Sequence, residues 1–116
     1  MPKRRGERQL ATAAVLFAAL GDETRLALVN RLSTGGPASI SVLSESCGDI
    51  SRQGVTKHLQ VLASAGIVDS RREGREHVWA LNPAKLEEAR RSLSLIAGQW
   101  DEAFTRLKAH IERSIR

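Results

Sequence analysis

The sequence has one cysteine, Cys47, no tyrosine, and four aromatic residues in all: Phe17, Trp79, Trp100 and Phe104. A single thiol closes no internal disulfide, which excludes the disulfide-stapled secreted scaffolds. So few aromatics argue against single-strand nucleic-acid binders, which stack bases on aromatic platforms. No apolar run approaches the ~18 residues that a membrane-crossing helix needs. Enzyme signatures are missing as well: there is no glycine-rich phosphate loop, no H-E-x-x-H and no G-x-S-x-G. Glu87-Glu88 reads as an ordinary solvated pair on a helix.

What remains is a chain of 116 residues, enough for one domain with a real core. It is 41% apolar and 27% charged, ordinary globular usage. Eighteen Lys+Arg against thirteen Asp+Glu give +5, which favours a polyanionic partner, nucleic acid first and an anionic membrane surface second. The charge is uneven: +3 over residues 1–20, −2 over 21–50, +2 over 51–82 and +2 over 83–116. No acid occurs between Arg52 and Val68.

Residues 1–9 are read as a basic amino-terminal arm. With the apolar stretch behind it, the start resembles a secretory leader. The stretch fits a helix better, with Leu10, Ala13, Ala14, Phe17 and Leu20 on one face. Arg4-Arg5 lacks the context of a twin-arginine signal, so a cytoplasmic protein is expected. Gly21-Asp22 breaks this helix, and Asp22 caps the next over about 23–33, with Leu26, Leu28, Val29 and Leu32 mostly inward. Gly35-Gly36-Pro37 makes a turn. A short helix capped by Ser39 or Ser41 follows, with Ile40, Leu43 and Cys47 apolar, and Gly48-Asp49 is the next turn.

The most informative segment is a helix over about 52–65, capped by Ser51. At 100° per residue Val55, Leu59 and Leu62 fall in a stripe ~60° wide. Gln53, Thr56, Lys57, Gln60 and Ser64 fall opposite. A merely solvated helix would more often carry Glu/Lys pairs; this face has no acid, and its side chains are types that bond to base edges and phosphates. After Ala65-Gly66 an extended run from Ile67 to Arg72, a turn at Glu73-Gly74 and a return strand over 76–81 form a β-hairpin with Arg71, Arg72 and Arg75 around its tip. Such a hairpin suits contacts with phosphate or the minor groove; the bland alternative is a solubilising loop.

Asn82-Pro83 starts a last helix. Its apolar residues Leu86, Ala89, Leu93, Ile96, Trp100, Phe104, Leu107 and Ile111 follow a heptad-like 3, 4, 3, 4, 4, 3, 4 spacing. That stripe runs ~45 Å, longer than a small domain covers by itself. The economical partner is the same helix of a second subunit.

The order of elements is that of a winged helix-turn-helix, and three stretches resemble the ArsR/SmtB family of bacterial transcriptional repressors. Leu20-Gly21-Asp22-Glu23-Thr24-Arg25-Leu26 resembles the family's "L-x-D-x-T-R". Val55 to Val68, VTKHLQVLASAGIV, resembles "V-S-x-H-L-x-x-L-x-x-A-G-L-V". Arg72 to Glu76 followed by Trp79 to Asn82 resembles the wing, "R-x-G-R-x-x-x-Y-x-L". The resemblance covers about residues 10–112. It implies a mainly α fold with a small β-hairpin wing, dimeric through its terminal helices, that binds a double-stranded operator and represses transcription. Carried over by position, the DNA contacts are Ser51, Arg52, Gln53, Thr56, Lys57 and Gln60 in the recognition helix, and Arg71, Arg72 and Arg75 in the wing. His58 flanks the apolar stripe and is expected to pack or hydrogen-bond rather than read a base. The dimer contacts are Leu10, Phe17, Leu93, Ile96, Trp100, Phe104, Leu107 and Ile111. Within one domain the expected parts are the helix-turn-helix over 39–65, the wing over 67–82 and the dimerisation helix over 83–112.

Metal sensing is where the sequence departs from the family. Thiolate sensors carry "E-L-C-V-C-D-L"; here Ala38-Ser39-Ile40-Ser41-Val42-Leu43 has serines, poor ligands for soft metals. The last helix offers Asp101, Glu102, His110 and Glu112 without the D-x-H and H-x-x-H/E pairs of the zinc site. Cys47 is expected to pack as a small hydrophobe. No metal site and no cofactor are therefore expected, and an inducer, if there is one, is not a metal. Two other readings stand beside the repressor: a non-specific nucleoid-type DNA binder, and a helical interaction module that has lost DNA binding.

Overall fold

The computed structural model describes residues 5–115, and of Arg5 only the backbone. Five helices and three short strands follow one another as α1 (Arg5–Leu20), α2 (Glu23–Gly35), β1 (Ala38–Ser39), α3 (Ile40–Ser46), α4 (Arg52–Ser64), β2 (Val68–Glu73), β3 (Glu76–Leu81) and α5 (Pro83–Ile115). Lys3 and Arg4 of the expected arm lie outside the described residues. The rest of that arm, from Arg5 on, is already the first turn of α1.

Each boundary has a local cause. Asp22 accepts the Arg25 N–H at 2.9 Å, and Ser51 accepts the Gly54 N–H at 3.0 Å, both in the N-cap position. Ser39, rather than Ser41, caps α3 through the Val42 N–H. Asn82 Oδ1 receives the N–H groups of Ala84 and Lys85 at the start of α5, with Pro83 in the first helical position. At the other end of α4, Ile67 N–H reaches back to Leu62 O at 3.0 Å. That six-to-one bond needs Gly66 left-handed, and its φ is +79°.

The core lies where α1, α2, α3 and α4 converge. Leu16, Leu28, Leu43, Val55, Leu59, Leu62, Ile67 and Val68 are fully buried there. The α1 face differs from the expected one. Ala13, Leu16 and Ala19 point inward, while Ala14 is exposed and Leu10 is half exposed. An alanine-rich helix offers two nearly equivalent stripes, and the inward one is set by Leu16, its only large buried residue. In α2, Leu28 and Leu32 are buried but Leu26 is exposed.

The hairpin is part of a three-stranded antiparallel sheet in the order β1-β3-β2. The two residues of β1 pair with β3, Ala38 opposite Trp79 and Ser39 opposite Val78. This joins the wing to the start of α3. Trp79 is 93% buried (7% exposed), so the face of β3 that carries it looks onto the core. The tip is the two-residue connection Gly74-Arg75, with Gly74 at φ +63°.

Helix α5 packs on α1 through its first half only. Ala89 is buried and Ile96 is half-buried, but every described residue from 97 on is exposed. The helix projects far enough to give the molecule a long axis of 69 Å against 37 and 21 Å.

Candidate nucleic-acid interface

Helix α4 rests on its aliphatic side. Val55, Leu59 and Leu62 are fully buried, which turns Gln53, Lys57, Gln60, Val61 and Ser64 outward. No carboxylate stands on that outer face. Ser51 and Arg52, at the amino end of the helix, are exposed. Thr56 is half-buried, and its hydroxyl donates to Arg52 O at 3.0 Å. Val61 is also exposed on this side, an apolar side chain of the type that can pack on a thymine methyl.

Behind the helix, the residues of the L-x-D-x-T-R stretch form one network with His58. Arg25 Nε donates to Ala19 O at 2.6 Å and one Nη to Ala18 O at 3.4 Å, satisfying carbonyls at the end of α1. Its other Nη lies 3.3 Å from His58 Nδ1, which is also 3.8 Å from the Asp22 carboxylate. The Arg25 N–H, and then the charges of Arg25 and His58, hold the Asp22 carboxyl below its usual range. His58 therefore bonds inward, as expected from its place beside the apolar stripe, and locks α4 to the α1–α2 junction.

The wing is electrically different from its arginine count. Between Val68 and Leu81, Arg71, Arg72 and Arg75 are matched by Asp69, Glu73 and Glu76, so the hairpin is neutral. Arg71 is ion-paired to Glu73 at 2.7 Å. Strand alternation places Arg72 on the face of Trp79 and Arg71 on the other. Arg52 is engaged too. Its guanidinium donates to Ser41 Oγ, and that hydroxyl lies 3.4 Å from Glu76 Oε1. The sum of +2 over residues 51–82 includes these acids, but a sum does not show which cation each acid faces. The signal was available, because β-strand spacing already puts Arg71 and Glu73 on one face; the link through Ser41 was not.

Among the described residues no group of three His, Cys, Asp or Glu side chains could hold a metal ion. Ser39 caps α3 and Ser41 bonds Arg52, so both hydroxyls at the thiolate positions are in use. Cys47 is half-buried against the core, and burial pushes its thiol pKa up, away from reactivity. No helix among the described residues is long and apolar enough to cross a membrane.

The surfaces expected to pair two subunits are open. Trp100 is 66% and Phe104 67% exposed, and Leu10, Leu93, Leu107 and Ile111 are also uncovered. Phe17 and Ile96 are half-buried.

A recognition helix packed on a three-helix core, with a β-hairpin beside it, defines a winged helix-turn-helix DNA-binding protein. Comparison with known proteins narrows the class. Residues 20–71 match a helix-turn-helix domain family. The chain is 37% identical over 87 residues to the HTH-type transcriptional regulator Rv2034 of Mycobacterium tuberculosis, covering 75% of this chain and 77% of that one. It is 36% identical over 77 residues to an uncharacterized HTH-type transcriptional regulator, YuzN, of Bacillus subtilis, covering 62% of this chain and 84% of that one. An ArsR-like transcriptional regulator from Rhodococcus sp. RHA1 superposes with a TM-score of 0.70 at 35% identity, over 86% of this chain and 92% of that one. The chain belongs to the ArsR family of winged helix-turn-helix transcriptional regulators.

Proposed function

We propose that the protein is a cytoplasmic repressor that binds an inverted-repeat operator in double-stranded DNA as a homodimer. The observation that carries this reading is the outer face of α4: polar except for Val61, free of acids, and backed by fully buried Val55, Leu59 and Leu62. Gln53, Lys57 and Gln60 on that face are of the types that read base edges and phosphates in the major groove. Ser51, Arg52 and Thr56 lie at the amino end of the same helix, nearest the sugar-phosphate backbone. Arg71, Arg72 and Arg75 of the wing contact phosphates alongside. Because the hairpin is neutral overall, its contribution is local bonding rather than a long-range field.

The exposed stripe of α5, with Leu10 and Phe17 of α1, closes the two-fold interface. A structural relative, BigR from Xylella fastidiosa, is a transcriptional repressor (28% identity, TM-score 0.63) over 84% of this chain and 95% of that one. In the dimer the two recognition helices stand about one DNA turn apart, ~34 Å, on successive major grooves. Bound at a promoter, the dimer excludes polymerase. Serines stand where the thiolate sensors of the family carry cysteines, so the reading includes no metal effector, and any inducer in it is a non-metal one.

The test is a selection of bound duplexes from a random pool with the purified protein. An inverted repeat, bound far more tightly than unrelated duplex at physiological salt, is expected. An affinity that follows salt but hardly sequence would instead identify a non-specific DNA binder.

A further inference from the structure

The corner between the recognition helix and the wing holds a group that DNA would also hold. Three side chains from three elements meet there. Arg52, the first residue of α4, donates to Ser41 Oγ of α3, and the Ser41 hydroxyl donates to Glu76 Oε1 of β3 at 3.4 Å. The arrangement is a relay: the guanidinium bonds the Ser41 oxygen, and the Ser41 hydroxyl proton reaches the carboxylate. Arg52 and Glu76 are exposed and Ser41 is half-buried, so the corner is open to a ligand from outside. A phosphate is the natural substitute for that carboxylate: one oxygen accepts from the Ser41 hydroxyl, and the others can take the neighbouring guanidinium. The corner also sits beside the acid-free face of α4, where the reading above puts the duplex.

We propose that Glu76 occupies, in the free protein, the place of one DNA phosphate. On binding, a backbone phosphate takes the Ser41 hydroxyl and the Arg52 guanidinium, and Glu76 is displaced. This inference rests on the DNA-binding reading and adds to it a built-in competitor. Binding then includes an exchange of partners rather than a simple gain of one ion pair. The protein meets DNA with this corner neutral, which lowers its attraction for any duplex and leaves more of the discrimination to Gln53, Lys57 and Gln60. Glu76 is in this sense a positioning residue, acting through Arg52 and Ser41.

The experiment compares wild type, Glu76→Gln, Arg52→Ala and the double variant on one mixed-sequence duplex, by fluorescence anisotropy across a potassium chloride series. Circular dichroism checks that each variant is folded; all substituted side chains are exposed. Glu76→Gln keeps the shape and removes the charge that a phosphate must displace, so it should tighten binding about two- to fivefold, the scale of one exposed charge interaction. It should also steepen the salt dependence of log K by up to about 0.9, one further phosphate neutralised without a displaced acid. In the Arg52→Ala background the same substitution should gain far less, because the cation that the incoming phosphate joins is gone. Equal affinity and slope for Glu76→Gln and wild type would overturn the proposal. An undiminished gain in the Arg52→Ala background would overturn it as well, since plain charge removal would then suffice. A wild-type protein that binds no duplex at any salt would instead sink the DNA-binding reading on which the proposal stands.

Discussion

Phe104→Ala is the sharpest probe of the two-fold interface. Phe104 is 67% exposed and lies in the projecting half of α5, where no described residue is buried. The substitution therefore removes nothing from the core, and alanine raises helix propensity. Monomer stability and helix content should not fall. In a two-fold dimer each substitution strikes twice. Fully burying a Phe side chain is worth about 1.5–3 kcal/mol, and roughly two-thirds of that remains to be gained on pairing; two copies give about 2–4 kcal/mol, a dissociation constant raised roughly 30- to 1,000-fold. Sedimentation equilibrium over a concentration series, with circular dichroism of the same samples, measures both quantities. Operator affinity should drop in parallel, because a monomer engages one half-site. An unchanged dissociation constant with a folded protein would refute α5 as the interface; a loss of helix would refute the claim that Phe104 is idle in the monomer.

Other expectations follow from the same geometry. Lys57→Ala should weaken DNA binding and reduce the slope of log K against log salt by about 0.9, the mark of one phosphate contact, in an anisotropy titration. Gly66→Ala should destabilise the fold by about 1–2 kcal/mol in urea melts, because the left-handed residue closing α4 acquires a Cβ; no change would mean that the cap is dispensable. The Asp22 carboxyl, held below its usual range chiefly by the Arg25 N–H, contributes stability that is present above the unfolded-state value near pH 4. That contribution is lost as pH falls through the lower folded-state value, so Asp22→Ala should flatten the acid limb of a pH–stability curve, and an equally steep limb would count against the network.

How much of this was legible in the sequence varied by element. The caps Asp22, Ser51 and Asn82 were readable because short polar side chains before a periodic run have one local use. Helix α4 was readable because its aliphatic stripe and its acid-free face are on opposite sides. The inward face of α1 was not: Ala13, Ala14 and Ala19 bury too little to fix a direction, and Leu16 decides it only once α2 and α4 are packed. Strand β1 escaped because two residues, Ala38 and Ser39, carry no period. The charge of the wing was in the sequence, where Asp69, Glu73 and Glu76 offset the three arginines, but the ion pair between Arg71 and Glu73 came from the fold. The Ser41 link joins residues 11 and 35 positions apart and could come only from the fold.

The start of α5 is tied to the reading head without slack. Asn82 donates its N–H to Ile67 O at 2.8 Å and caps α5 with its side chain, while Ile67 itself completes the end of α4. The 33 residues of α5 thus form a lever about 50 Å long, fixed at one end to the recognition helix. A tilt of about 5° around its midpoint would carry that end ~2 Å, enough to take a recognition helix out of register with its half-site. An inducer bound anywhere along the paired helices would need to supply no larger motion than that.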